Sequence, residues 1–212
     1  MVIVDTVSKQ VYEIIKTTVL TGQLAQGARI DPKQIAEENN VSLMPVRSAL
    51  QQLVATGLVN VVPRVGFFVR RFSNIELMQI NDTRKMFELY CLQNFFSQLN
   101  KTETKRILHH LDNVSFDDSK KVHALDVRLH TMFVEASHND FLLTQYENFS
   151  DLFSLSMGLF STEKPEIAKV EHVAILNAIC EGNREEACAC LLQHLDRVGA
   201  ELVEKNSLMD EQ

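Results

Sequence analysis

The sequence predicts a mainly α protein, with an amino-terminal winged helix-turn-helix over residues 1–72 and an all-α antiparallel helical bundle over residues 73–212. Three observations predict it. Three helical segments with a sharp turn before the third lead into a β-branched, aromatic stretch around "PRVG". From Ser73 onward the apolar residues recur only at helical spacing. The 212 residues include only seven Gly and four Pro, too few for a turn-rich β fold or a low-complexity chain.

The first helix runs roughly over 5–21, where Val7, Val11, Ile14, Ile15 and Val19 recur at helical spacing before the two glycines of "TGQLAQGARI". In "DPKQIAEENNVS", Asp31 is placed to cap and Pro32 to occupy the first turn of a short second helix with Ile35 and Ala36 inward. Asn40 sits at the sharp turn, since Asn is the non-glycine residue that best tolerates the left-handed conformation. Ser42 then caps "LMPVRSALQQLVATGL", with Val46, Leu50 and Leu53 inward and Gly57 as the stop. "VNVVPRVGFFVRRF" reads as a β-hairpin. Bundle helices are expected at about 74–99, 102–113, 119–137, 140–157, 166–181 and 184–206. Ser73 and Ser119 act as caps, and Gly182-Asn183 breaks the last pair.

Charge separates the two parts. The net charge is −7, yet residues 1–72 carry eight Lys/Arg against five acids, so the head is +3 and the remainder −10. A basic head points to an anionic partner. The start has no basic n-region followed by an apolar h-region, and no apolar run is long enough for a bilayer, so a soluble, cytoplasmic protein with no membrane partner is expected. Cys91, Cys180, Cys188 and Cys190 form no CxxC and read as reduced, with the CxC pair as small core residues.

In a winged helix-turn-helix the third helix enters the major groove with its first residues on base edges, while the wing and neighbouring helix ends hold phosphates. Arg47 can bind a guanine bidentately or clamp a phosphate, Ser42 can donate, and Met44 can meet a thymine methyl. Lys33 and Arg64 are placed for backbone charge; the plain alternative leaves Arg47 and Lys33 as ordinary solvated residues.

"VLTGQLAQGARIDPKQIAEENNVSLMPVRSALQQLVATGLVNVVPRVGFFV" resembles the DNA-binding domain of the GntR superfamily, which reads G-x-L-x-P-G-x-x-L, then L-A-x-x-L-G-V-S-R-T-P-V-R-x-A-L-x-x-L-x-x-x-G-L-V, then R-G-x-F-V. Leu43 stands where the family has arginine, and Val65 replaces the arginine before Gly66, with Arg64 beside it. The resemblance implies contact of double-stranded DNA by the third helix and the wing, Gly66 included.

Asp126 and His130 in "LDVRLHTMF" lie one helical turn apart at the edge of an inner face bordered by Leu125 and Leu129. A buried carboxylate needs compensation. A hydrogen bond from His130 is one answer. Another comes from "EHVAILNAICEGNREEACACLLQHL": His172 lies near Ile175, Ala178 and Ile179 on one inner face, and His194 near Leu191, Leu192 and Leu195 on the next. Three His and one Asp from three helices can converge on Zn²⁺, Ni²⁺, Mn²⁺ or Fe²⁺ and leave positions for a ligand. His109, His110, His123 and His138 lack this placement.

This half resembles the FCD ligand-binding domain of FadR-type GntR regulators. Its patterns L-D-x-x-F-H-x-x-L-x-x-A-S-x-N-x-x-L and H-x-x-I-x-x-A-I-x-x-G-D-x-x-x-A-x-x-x-x-x-x-H-L are matched with all four metal positions filled. The resemblance implies a homodimeric regulator binding a metal and a small organic acid. The family's R-x-x-x-E appears as Arg84 and Glu88, and Arg84 is expected to meet the effector's carboxylate. A plain Arg84–Glu88 pair on the helix surface is the alternative. The expected function is a ligand-responsive regulator, acting as a repressor, on a roughly palindromic operator. Rival readings are a metalloregulator answering to the ion itself and a metal-dependent hydrolase, for which no extra general base is evident.

Overall fold

The computed structural model describes residues 6–115, 119–158 and 165–210. By their contacts the residues group into two units, Met1–Phe72 with Asp151–Ser161, and Ser73–Ser150 with Thr162–Gln212.

In the first unit, α1 (Val7–Leu20) begins where the Thr6 side chain accepts from the Lys9 backbone N–H. Its buried stripe is Val11, Ile15 and Val19. Val7 and Ile14, both expected to share that stripe, are 49% and 44% exposed. Ile14 precedes Ile15 by one residue and so points about 100° away from the row set by Val11, Ile15 and Val19, whereas Val7 continues that row but is the first residue of the helix. A two-residue strand, β1 (Arg29–Ile30), follows. It was not expected, because two residues carry no alternation to read.

Helix α2 (Pro32–Glu38) is capped by Asp31, whose side chain accepts from the Lys33 N–H at 2.8 Å. Asn40 takes φ 52°, the left-handed turn expected of it. Helix α3 (Leu43–Ala55) buries Val46, Ala49, Leu50 and Leu53 completely, and Gly57 at φ 79° ends it. Ser42 occupies the capping position by its backbone, but its hydroxyl makes no capping bond. That corrects the expected role and leaves the hydroxyl on the exposed face. Strands β2 (Val59–Val62) and β3 (Gly66–Val69) pair antiparallel from Val59↔Val69 to Val62↔Gly66, and β1 adds to the other edge of β3, giving the order β1-β3-β2.

The regular elements among the second unit's described residues are all helices. Helix α4 (Asn74–Phe95) starts with a reciprocal capping box, Ser73 with Glu76. It gives way at Phe96–Gln98 to a 3₁₀ turn, shorter than the helix to 99 that was expected. Next come α5 (Lys101–Asn113), capped by Asn100, then α6 (Ser119–Glu135) and α7 (Asp140–Gly158), whose residues from Asp151 on group with the first unit. The expected capping contact of the Ser119 side chain lies outside the described residues. Helix α8 (Pro165–Glu181) and α9 (Arg184–Asp210) are separated at Gly182, φ 77°, and α9 runs past the expected end at 206. Among the described residues, no helix is long and apolar enough to cross a membrane.

The core of this unit is built from Leu92, Leu129, Phe133, Ile175, Leu191 and Leu195, with Cys188 and Cys190 packed partly against it. Leu192, expected inward, is 42% exposed; it is one position from Leu191 and lies off the face set by Leu191 and Leu195. Helices α4 and α9 approach closely at Gly199, where a Cβ would stand 2.3 Å from Asn81 Nδ2. Asn81 is buried and donates to the Leu195 carbonyl at 3.0 Å, so it cannot swing away without losing that bond. Gly199→Ala is therefore expected to destabilise the protein by about 1–3 kcal/mol despite the better helix propensity of alanine, read as a lower urea midpoint at unchanged slope.

Candidate metal centre and nucleic-acid interface

Three helices deliver four ligand-type side chains to one point. Asp126 and His130 lie four residues apart on α6 and therefore on one face, His172 comes from α8 and His194 from α9. One ligand atom from each lies within 4.8 Å of all the others. The Nε2 atoms of His172 and His194 are 3.3 Å apart, and Asp126 Oδ1 is 3.4 Å from His172 Nε2 and 3.7 Å from His130 Nε2. The three imidazoles are 1–4% exposed, whereas the Asp126 side chain keeps 32%, so the cluster reaches solvent on the Asp126 side.

The protonation pattern follows from carboxylates behind the rings. Glu88 on α4 is wholly buried, which works to raise its pKa, but Arg84 and His130 outweigh burial and hold it at about 2. An ionised carboxylate only accepts, so His130 donates from Nδ1 to Glu88 Oε2 at 2.6 Å. The other ring nitrogen, Nε2, is buried and has no hydrogen-bond partner. On α8, Glu171 is held at about 2, burial being outweighed by the hydrogen bonds of His194 and Arg197. His194 donates from Nδ1 to Glu171 Oε2 at 2.7 Å, which turns its Nε2 towards the cluster as well. Burial, reinforced by His194, pushes the His172 pKa well below its ordinary value and keeps that ring neutral.

These residues fit a divalent transition ion. Ligand atoms held about 2.0–2.2 Å from one ion lie roughly 3–3.6 Å from each other, close to the separations above. The unpartnered Nε2 of His130 is the atom such an ion would satisfy. The four residues singled out from the sequence come together, and the other histidines, His109, His110, His123 and His138, are exposed.

Arg84 donates from Nε to Glu88 Oε1 at 2.7 Å, and both are buried, so the pair exists but lies inside the bundle and not on the helix surface. Tyr146 on α7 adds a third bond to Glu88, at 2.8 Å from its hydroxyl. The sequence reading missed Tyr146, Glu171 and Arg197, and it named Glu88 only as a partner of Arg84. Arg197 gave a signal: it is three residues after His194 on α9 and so shares its face.

In the first unit, Ser42, Met44 and Arg47 lie on the exposed start of α3, with Met44 at 82%. Ser48 and Gln51 continue that face, four residues after Met44 and Arg47, and both are exposed. Lys33, in the first turn of α2, is exposed too. In the wing turn Val65 N–H donates to the Val62 carbonyl at 3.0 Å, and Arg64 takes φ 65°, a conformation usually left to Gly or Asn. Arg29 on β1 donates to the Val65 carbonyl at 3.2 Å and packs along Gly66, bracing the wing.

Residues 7–69 match the family described as "Bacterial regulatory proteins, gntR family", and residues 79–197 match the FCD domain. The chain belongs to the GntR family, with an FCD domain. Among curated relatives, the HTH-type transcriptional regulator LutR of Bacillus subtilis (strain 168) is 27% identical over 204 residues, covering 84% of this chain and 92% of LutR. A solved structure described as a GntR transcriptional regulator from Rhodococcus sp. RHA1 shares the fold at TM-score 0.84 and 19% identity, over 93% of this chain and 97% of that one. The Zn²⁺-bound FCD domain of TM0439 aligns at TM-score 0.58 and 28% identity, over 63% of this chain and 96% of that domain. This GntR-family protein is thus a DNA-binding transcriptional regulator, and its families and relatives are regulators and not enzymes.

Proposed function

We propose that this protein is a ligand-responsive repressor in which Asp126, His130, His172 and His194 hold a divalent ion, Zn, Ni, Mn or Fe, and a small organic acid completes the coordination. The observation that carries the reading is the buried, partnerless Nε2 of His130 facing three further ligand atoms. An ion would supply Lewis acidity and charge. Its two positive charges against the single negative charge of Asp126 leave the cluster at +1, since Arg84 offsets Glu88 and Arg197 offsets Glu171, and that residual charge favours an anionic ligand. The exposed edge of Asp126 is the approach, and Arg84 meets the effector's carboxylate. Residues 1–72 form the DNA-binding domain and residues 73–212 the metal-binding, effector-binding and dimerisation domain. Two chains pair as a homodimer on a roughly palindromic operator in the cytoplasm, and effector binding releases it.

Ser42, Met44 and Arg47 read bases, while Lys33, Arg64 and Gly66 hold the backbone. Arg47→Ala is expected to weaken binding about 10–100-fold on an operator selected from random duplexes, measured by anisotropy at fixed salt. A selection that enriches no sequence would overturn the reading. The effector claim is tested by a thermal-shift screen of zinc-loaded protein against small carboxylates, followed by operator binding with each hit. Release by a carboxylate supports the proposal; release by chelation alone makes the ion itself the signal.

A further inference from the structure

Two carboxylates outside the ligand set stand directly behind two of its rings. Resting on the metal reading above, we propose that Glu88 and Glu171 are positioning residues for the ion, locking His130 and His194 as a pre-aimed pair to which His172 and Asp126 are added.

The two carboxylates come from helices other than those of the rings they hold: Glu88 on α4 bonds His130 of α6, and Glu171 on α8 bonds His194 of α9. Each is itself fixed. Arg84 and Tyr146 bond Glu88, at 2.7 and 2.8 Å, and Arg197 grips both oxygens of Glu171, at 2.6 and 2.7 Å. The result shows in the rings: His130 and His194 lie nearly parallel, 17° between planes and 5.3 Å between centroids. His172 stands at 74° and 61° to them and meets its carboxylate, Asp126, through Nε2. A carboxylate on Nδ1 fixes ring orientation and makes Nε2 a stronger donor to a metal. Were these only stabilising His–Glu pairs, nothing would require His130 Nε2, which has no hydrogen-bond partner, to face the same point as His194 Nε2, which lies 3.3 Å from His172 Nε2. Two rings are therefore aimed before any ion arrives, and the other two ligands supply the adjustable half of the site.

The test is a competition titration of the full chain with zinc against a chromophoric chelator, comparing wild type with Glu171→Gln, alongside the melting temperature of each metal-free protein. Glu171 is partly exposed, so the variant is expected to fold. The expected result is a 10–100-fold loss of zinc affinity with little change in the metal-free melting temperature. Zinc affinity within threefold of wild type overturns the inference and leaves the metal reading standing; wild type that binds no zinc defeats that reading itself. A second measurement needs no variant. Nitrogen chemical shifts of the metal-free wild type should show His130 and His194 protonated at Nδ1, and protonation at Nε2 in both rings would overturn the inference.

Discussion

Glu88→Ala is expected to lower the unfolding free energy by about 3–5 kcal/mol, the cost of breaking a buried ion pair by removing one partner. Glu88 has no solvent exposure and accepts from Arg84, Tyr146 and His130, so its removal takes the counter-charge from a guanidinium that is only 3% exposed. Two further donors, on α6 and α7, lose their acceptor in the same step. Glu201→Ala provides the contrast. Its pair with Arg197 at 2.8 Å is an i,i+4 contact on α9 with 32% exposure of the carboxylate, and its loss should cost under about 1 kcal/mol. Urea denaturation of both variants checks the difference; equal midpoints would mean that the buried network contributes no more than a surface pair.

Zinc at about a hundred times its dissociation constant should stabilise the protein by about 2.7 kcal/mol, and His194→Ala should abolish that gain. In a chain of this length that corresponds to a melting shift of roughly 5–10 °C. The diagnostic feature is where the loss appears. In the metal-free protein the three imidazoles crowd together, His172 and His194 having their Nε2 atoms 3.3 Å apart, so shortening one relieves as well as removes contacts. The variant should then differ from wild type mainly when zinc is present. A variant that melts low without zinc and still gains the full increment with it would show that His194 is a packing residue.

The architecture was legible because its signals are local and periodic. The capping box at Ser73, the break at Gly182 and the turn at Asn40 each rest on one or two residues with a single mechanical role. The strand β1 was not legible, since its two residues pair with β3 only after the chain has closed over some forty positions. At the metal cluster, the ligand types could be read because Asp126 and His130 share a helical turn and the remaining histidines lie on inner faces. Their supports could not. Glu88 is 42 positions from His130 and Glu171 is 23 from His194, and nothing in spacing announces a contact made across helices. The same limit applied to Arg84: an i,i+4 acid and base look alike in sequence whether the helix face is wet or buried, and only packing against α6 and α7 separates the two.

The most direct measurement is X-ray absorption at the zinc edge of the loaded 212-residue chain, wild type beside His130→Ala. The account predicts a first shell of nitrogen and oxygen only, with multiple scattering from three imidazoles in wild type and two in the variant. Sulfur in that shell, as from Cys180, Cys188 or Cys190, or an imidazole signal unchanged by His130→Ala, would place the ion elsewhere and contradict it.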